Sequence, residues 1–268
     1  EGKAFTPMTP SRYQQAILEA VRDRTDNLII QACAGSGKTT TLKMIYEVLP
    51  PRVEAVALSF NKQNAEAFRA KLPPTVDSST MHSLGMKILL RCTPGCGLDK
   101  EKLTRNMDVK YGEYRSLSPV KKAIARVIKD LLSVYRSQLI QEDDIEGQQR
   151  LLAEETDFYV NPDIPPASDA DITSLCRDTY AFLTQLRKET VLFDFDDMID
   201  QVVYHKFRPS RRYDVILGDE VQDWTPAQAE FVRIAADGPG AGLKARVILV
   251  GDRHQAIYGW RGADTQSM

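Results

Sequence analysis

The chain has 268 residues, with 35 Lys and Arg against 37 Asp and Glu and a formal net charge of −2. That length holds one large or two small domains with a substantial core, and the charge balance excludes a protein that coats nucleic acid by bulk electrostatics while leaving room for one local basic or aromatic track. No apolar stretch is long enough to cross a bilayer and no cleavable signal pattern stands at the start, so a soluble, intracellular chain is expected.

Tyr13 to Val21 has helical periodicity and is followed by the apolar run Leu28 to Gln31, which reads as a buried strand. Next comes A-C-A-G-S-G-K-T-T-T, Ala32 to Thr41, running into a helical pattern over Thr39 to Leu49. Strand, glycine-rich turn and helix in that order gather backbone N–H groups and a helix N-terminus around one point, which suits a polyphosphate. Ala32 stands where the pattern usually has its first glycine. The cradle would be Ala34, Gly35, Ser36, Gly37, Lys38, Thr39 and Thr40, with Lys38 reaching the β- and γ-phosphates of a nucleoside triphosphate and Thr39 ligating Mg²⁺. Phosphate binding alone does not choose between a kinase, a GTPase, a transporter ATPase and a nucleic-acid motor.

A second strand is expected at Ala55 to Ser59 and a helix at Lys62 to Leu72. The texture then changes over 91–188: a Pro/Gly/Cys turn precedes charged helical stretches at Val120 to Gln141 and Ile172 to Arg187, interrupted by N-P-D-I-P-P-A-S from Asn161 to Ser168. Cys92 and Cys96 form a C-x3-C, but only Cys176 and three scattered histidines are available to complete a zinc site outside the phosphate loop, so a reduced turn is the simpler reading.

Further strands follow at Asp214 to Gly218 and Val247 to Val250, around a helix at Pro226 to Ala235. Asp219 and Glu220 stand at the tip of the first of these strands. In P-loop ATPases an acid so placed holds the Mg²⁺ shell and its neighbour deprotonates the attacking water, which gives Asp219 the metal and Glu220 the base role. The fold class expected is α/β: a P-loop parallel sheet flanked by helices over 1–90 and 189–268, with 91–188 as an inserted, mostly α-helical subdomain.

Taken together, A-G-S-G-K-T, S-F-N-K-Q-N-A from Ser59, T-M-H-S from Thr80, F-D-F-D-D-M from Phe193, D-E-V-Q-D from Asp219 and G-D-R-H-Q-A-I-Y-G-W-R-G-A from Gly251 resemble the N-terminal half of superfamily 1 DNA helicases of the UvrD/Rep type. The resemblance implies that Gln14, or its neighbour Gln15, reads the adenine of ATP. It implies that Gln255 contacts the γ-phosphate and links hydrolysis to strand movement, with Asp252 supporting it. It also implies that Phe60, Asn61, Thr80, His82, Tyr258, Trp260 and Arg261 line a track for single-stranded DNA, where an indole stacks on any base. Asp196 and Asp197 read as acids complementing a helix start.

Two departures stand out: S-F-N-K is one residue shorter than the common T-F-T-N-K, and Thr40 occupies the place where many members have an adenine-stacking arginine. The expectation is the first lobe of an ATP- and Mg²⁺-dependent motor travelling 3′ to 5′ on single strands or at single/double-strand junctions. Such a protein would be cytoplasmic in a bacterial or viral setting and nuclear in a eukaryote. The second RecA-like domain is expected to be missing here, leaving a poor ATPase unable to unwind. The alternative is a nucleotide-controlled docking module without motor activity.

Overall fold

The computed structural model describes residues 9–33, 35–59, 62–69, 76–239, 242 and 244–252. Helix α1 (Arg12–Asp23) starts at a reciprocal cap in which the Ser11 hydroxyl accepts from the Gln14 N–H and Gln14 Oε1 accepts from the Ser11 N–H. β1 (Leu28–Gln31), α2 (Lys38–Val48), β2 (Ala55–Ser59), α3 (Lys62–Arg69) and β3 (Asp77–Thr80) follow, and the Thr80 hydroxyl then caps α4 (Met81–Cys92). The chain next runs through β4 (Gly97–Leu98), α5 (Lys102–Tyr111), α6 (Pro119–Gln138), α7 (Ile145–Glu155), α8 (Asp169–Lys188), β5 (Leu192–Phe193) and α9 (Asp197–His205). It closes with β6 (Val215–Gly218), α10 (Pro226–Asp237) and β7 (Arg246–Gly251).

The five long strands form one parallel sheet in the order β1-β7-β6-β2-β3, with Leu28 opposite Ile248, Val215 opposite Arg246, Ala55 opposite Val215 and Val56 opposite Asp77. Successive side chains alternate between the faces. Val56, Leu58 and Ile216 therefore pack with Leu84, Ile88, Val202 and Phe231 of α4, α9 and α10, whereas Ala55, Ala57, Val215 and Leu217 pack with Leu18 and Val21 of α1 and Leu42 and Ile45 of α2. Covering both faces is why the central strands read as unbroken apolar runs.

Because every pairing is parallel, the C-terminal ends of the strands lie along one edge, where α/β proteins place their ligands. Gln31, Gly251, Gly218, Ser59 and Thr80 end the strands there.

Between α4 and α9 the chain leaves the sheet. It goes out through β4 and returns through β5, which pair with each other in parallel. The intervening helices have their own core, built from Val127, Leu131, Leu132, Leu152, Phe182 and Leu183. One expected helix ends early: α6 stops at Gln138, where Leu139 adopts a left-handed conformation at φ 55°. The Asn161 to Ser168 interruption ends in a Ser168/Asp171 capping box that starts α8. No helix among the described residues is long and apolar enough to cross a membrane.

Candidate nucleotide and nucleic-acid site

The turn after β1 is shaped by two glycines with left-handed backbones, Gly35 at φ 72° and Gly37 at φ 82°, a conformation that a side chain at either position would strain. A Ser36 N–H to Cys33 carbonyl bond of 3.2 Å tightens it, and Ala32 N–H donates to Gly251, extending the β1–β7 ladder by one step. Gly37 caps α2 without a side-chain hydrogen bond, and no acid lies in the first turn. Lys38, Thr39 and Thr40 thus begin a helix whose positive end is left to an anion. Ala34 lies outside the described residues.

Lys38 is mostly enclosed, with 11% of its side chain exposed, and its Nζ lies 2.6 Å from Glu220 Oε2 at the tip of β6. Glu220 holds a left-handed backbone, φ 51° and ψ 46°, uncommon for a residue with a side chain. The strain turns its carboxylate toward the loop, where it also accepts 2.8 Å from Gln222 Nε2. Gln222 Oε1 in turn accepts 2.9 Å from the Asp252 N–H. One buried amide therefore bridges the tips of β6 and β7.

Beside it, Asp219 is 5% exposed and its Oδ1 makes no hydrogen bond. Burial, with the adjacent Glu220 charge adding to it, pushes its carboxyl up to about 6. An orphaned, buried carboxylate oxygen near Lys38 and Glu220 fits a hard cation, and Mg²⁺ bound with phosphates needs only one or two protein ligands.

Of the two glutamines in α1, Gln15 is exposed and Gln14 faces the loop, its Nε2 donating 3.1 Å to Thr41 Oγ1. A Cβ on Gly37 would lie 3.7 Å from that same Nε2. The fold thus selects Gln14 as the glutamine beside the phosphate loop.

Farther along the strand edge lies a cleft of about 1210 Å³ between the sheet tips and α6, lined among others by Thr80, His82, Ser133 and Phe195. Thr80 Oγ1 accepts 3.2 Å from the Ser83 N–H, so its hydroxyl serves the α4 cap. The His82 ring stacks on Phe195 with centroids 3.9 Å apart and planes 17° apart. Burial pushes the His82 imidazole down to about 4, so it is neutral at pH 7 and meets a ligand as a flat ring rather than as a cation. Lys62, Arg69 and Lys87 line the cleft together with five carboxylates, Glu66, Asp130, Glu155, Asp196 and Asp223.

Phe60, Asn61, Gln255, Tyr258, Trp260 and Arg261 lie outside the described residues. Asp252, the residue before that last segment, is buried. The sequence reading assigned no role to Gln222 or Phe195, although both sit in motifs it quoted. The signal for Phe195 was an aromatic flanked by acids on both sides, which a buried strand would not hold; it is 58% exposed.

Asp196 and Asp197 do begin α9, but neither caps it by a side-chain bond to the helix, and Asp197 is fully buried against Lys102 at 2.6 Å. Both also enter ion pairs, Asp197 with Lys102 of α5 and Asp196 with Arg136 of α6 at 3.8 Å. Cys92 and Cys96 are free thiols, the former donating to the Arg208 carbonyl at 3.7 Å. Among the described residues no cluster of His, Cys, Asp and Glu fits a metal held by protein side chains alone.

A parallel sheet with a glycine-shaped phosphate loop at one tip and an acid pair two strands away defines the P-loop class of α/β proteins. Within that class the profile of the UvrD/REP helicase N-terminal domain matches residues 13–268, and the chain belongs to that family. It is 26% identical over 261 residues to F-box DNA helicase protein 1 of Schizosaccharomyces pombe, covering 94% of this chain and 28% of the relative. It is 24% identical over 270 residues to ATP-dependent DNA helicase Rep of Buchnera aphidicola, covering 90% of this chain and 36% of the relative. ATP-dependent DNA helicase PcrA of Staphylococcus epidermidis is 27% identical over 279 residues, covering 93% and 34%. The chain therefore spans about a third of the length of these relatives, from 28% to 36%.

Proposed function

We propose that this chain is the first motor lobe of an ATP-dependent DNA helicase or translocase, divided into a nucleotide-binding part over 1–90 and 189–268 and an inserted helical part over 91–188. The observation that carries the reading is the 2.6 Å contact between Lys38 and Glu220, residues 182 positions apart. Nucleotide binding would draw Lys38 from Glu220 to the β- and γ-phosphates, releasing the carboxylate to orient and deprotonate water. Asp219 and Thr39 would hold Mg²⁺, which neutralises phosphate charge when bound. Gln14 would exchange its Thr41 bond for the adenine edge, and Gln255 would meet the γ-phosphate.

Along the cleft, Thr80, His82 and Phe195 would form the described part of a track for single-stranded DNA or a single/double-strand junction. Phe60, Asn61, Tyr258, Trp260 and Arg261 would continue it by family resemblance. Travel would be 3′ to 5′. A second RecA-like domain would complete the cycle by closing on the nucleotide. An arginine from such a domain would add about 10³ to 10⁵ in rate.

The test pairs Lys38→Ala with Glu220→Gln in fluorescent-nucleotide titration and phosphate release, with and without single-stranded DNA. Lys38→Ala is expected to lose nucleotide binding. Glu220→Gln should bind at least as well as the parent, since the carboxylate competing for Lys38 is gone, while hydrolysis falls by about 10²- to 10⁴-fold. Equal loss of affinity in both variants contradicts the assignment. Turnover indifferent to DNA, in a protein containing both lobes, favours a docking module instead.

A further inference from the structure

Hydrolysis makes no use of a group of buried charges where the inserted helices meet segment 194–200. Arg136 of α6, 3% exposed, points into four carboxylates of that segment. Its Nη1 lies 3.2 Å from Asp194 Oδ1 and 3.8 Å from Asp196 Oδ2, its Nη2 lies 3.5 Å from Asp197 Oδ1, and its Nε lies 4.0 Å from Asp200 Oδ2. Two further cations arrive from other inserted helices: Lys102 of α5 at 2.6 Å from Asp197, and Arg187 of α8 at 2.6 Å from Asp200.

Burying this many ions is an expensive way to hold helices together, because desolvation offsets most of the Coulomb gain. Its distinct product is geometry. Asp194 and Asp197 exchange backbone-to-carboxylate bonds of 2.8 and 3.0 Å, closing the loop on itself. With those side chains turned inward, Phe195 is the exposed aromatic of the loop, and it lies against His82 in the cleft. Arg136 Nη1 donates to both Asp194 carboxylate oxygens, at 3.2 and 3.4 Å, while Nε and Nη2 make no hydrogen bond, so it is anchored on Asp194 and holds the other three carboxylates electrostatically.

We propose that Arg136 is a positioning residue for nucleic-acid engagement: from the inserted helix α6 it holds segment 194–197 so that Phe195 is presented beside His82 as a stacking surface for an unpaired base. The proposal rests on the nucleic-acid reading of the cleft. It adds that the inserted helices set the shape of the motor lobe's own track, through a residue that touches neither strand nor nucleotide.

The probe is a single strand carrying one 2-aminopurine, read by its fluorescence change and by anisotropy, with nucleotide affinity and urea unfolding measured in parallel. Phe195→Ala should weaken strand binding about tenfold, the order of one lost base–aromatic stack, and remove most of the fluorescence change. Arg136→Met should reproduce both effects with nucleotide affinity within about twofold of the parent, and Arg136→Lys should restore part of the binding. The double variant Arg136→Met/Phe195→Ala should bind no more weakly than Phe195→Ala alone, since residues acting as one unit are not additive.

Parental strand binding by Arg136→Met, or full additivity in the double variant, overturns the proposal. Should Arg136→Met fail to fold, Asp196→Asn, which alters a partly exposed partner, is read the same way: parental binding and fluorescence overturn it. If the parent protein itself binds no single strand, the nucleic-acid reading falls first. If the parent binds and Phe195→Ala matches it, only the positioning role falls.

Discussion

His82 carries a measurable signature of its packing. Its imidazole ordinarily titrates near 6.5, and in the fold burial lowers that to about 4. Above pH 6.5 the ring is neutral in both folded and unfolded chains and contributes no pH dependence. As pH falls from 6.5 to 4 the unfolded chain takes up a proton that the folded chain refuses, so stability drops through that window. His82→Gln should remove a decline of about 3 kcal/mol at most, seen as a flatter plot of urea midpoint against pH. The same neutrality predicts that the variant leaves the salt dependence of strand binding unchanged, because no phosphate-paired cation is lost. Gln14 shows how fine the residue scale is: it and Gln15 are equivalent in the sequence, and the direction each leaves α1 separates them.

Where α4 crosses α9 the helices approach so closely that a Cβ on Gly85 would lie 1.9 Å from the Met198 carbonyl oxygen and 2.9 Å from its carbon. Neither atom can move without displacing the α9 backbone. Gly85→Ala should therefore destabilise by about 3 kcal/mol, measured by urea unfolding, and loosen the Phe195 loop just before α9. The polar edge strand β3, Asp77–Thr80, had no apolar run to announce it. Pairing with β2, together with a 2.8 Å bond from Ser78 Oγ to the Ala65 carbonyl, makes it a strand. Helices α4, α5 and α7 were likewise not anticipated as separate elements, whereas α9 begins where Asp196 and Asp197 mark a helix start. α5 and α7 bury few apolar residues, so their local periodicity is weak.

At the scale of the whole molecule, the described residues form three apolar clusters, one on each face of the sheet and one among the inserted helices. The phosphate loop rests on the cluster containing Leu42 and Ile45, whereas Leu183 is fully buried in the inserted helices. Leu183→Ala should cost about 2–5 kcal/mol in unfolding free energy while leaving nucleotide affinity within about twofold. A matching loss of nucleotide affinity would mean that the inserted helices support the phosphate loop directly.

The sequence by itself determined the alternation of strand and helix, the phosphate loop and the acid pair, because each depends on short spans whose apolar runs, glycines and polar tips lie adjacent in the chain. It also carried the family through six ordered motifs. Only the tertiary structure decided which glutamine faces the loop, that Gln222 bridges two strand tips, and that Asp196 and Asp197, at the start of α9, also enter an ion cluster. Those outcomes depend on where Thr41, Asp252, Lys102 and Arg136 arrive from elsewhere in the chain. Packing brings such partners together across long sequence separations, where no local pattern records them.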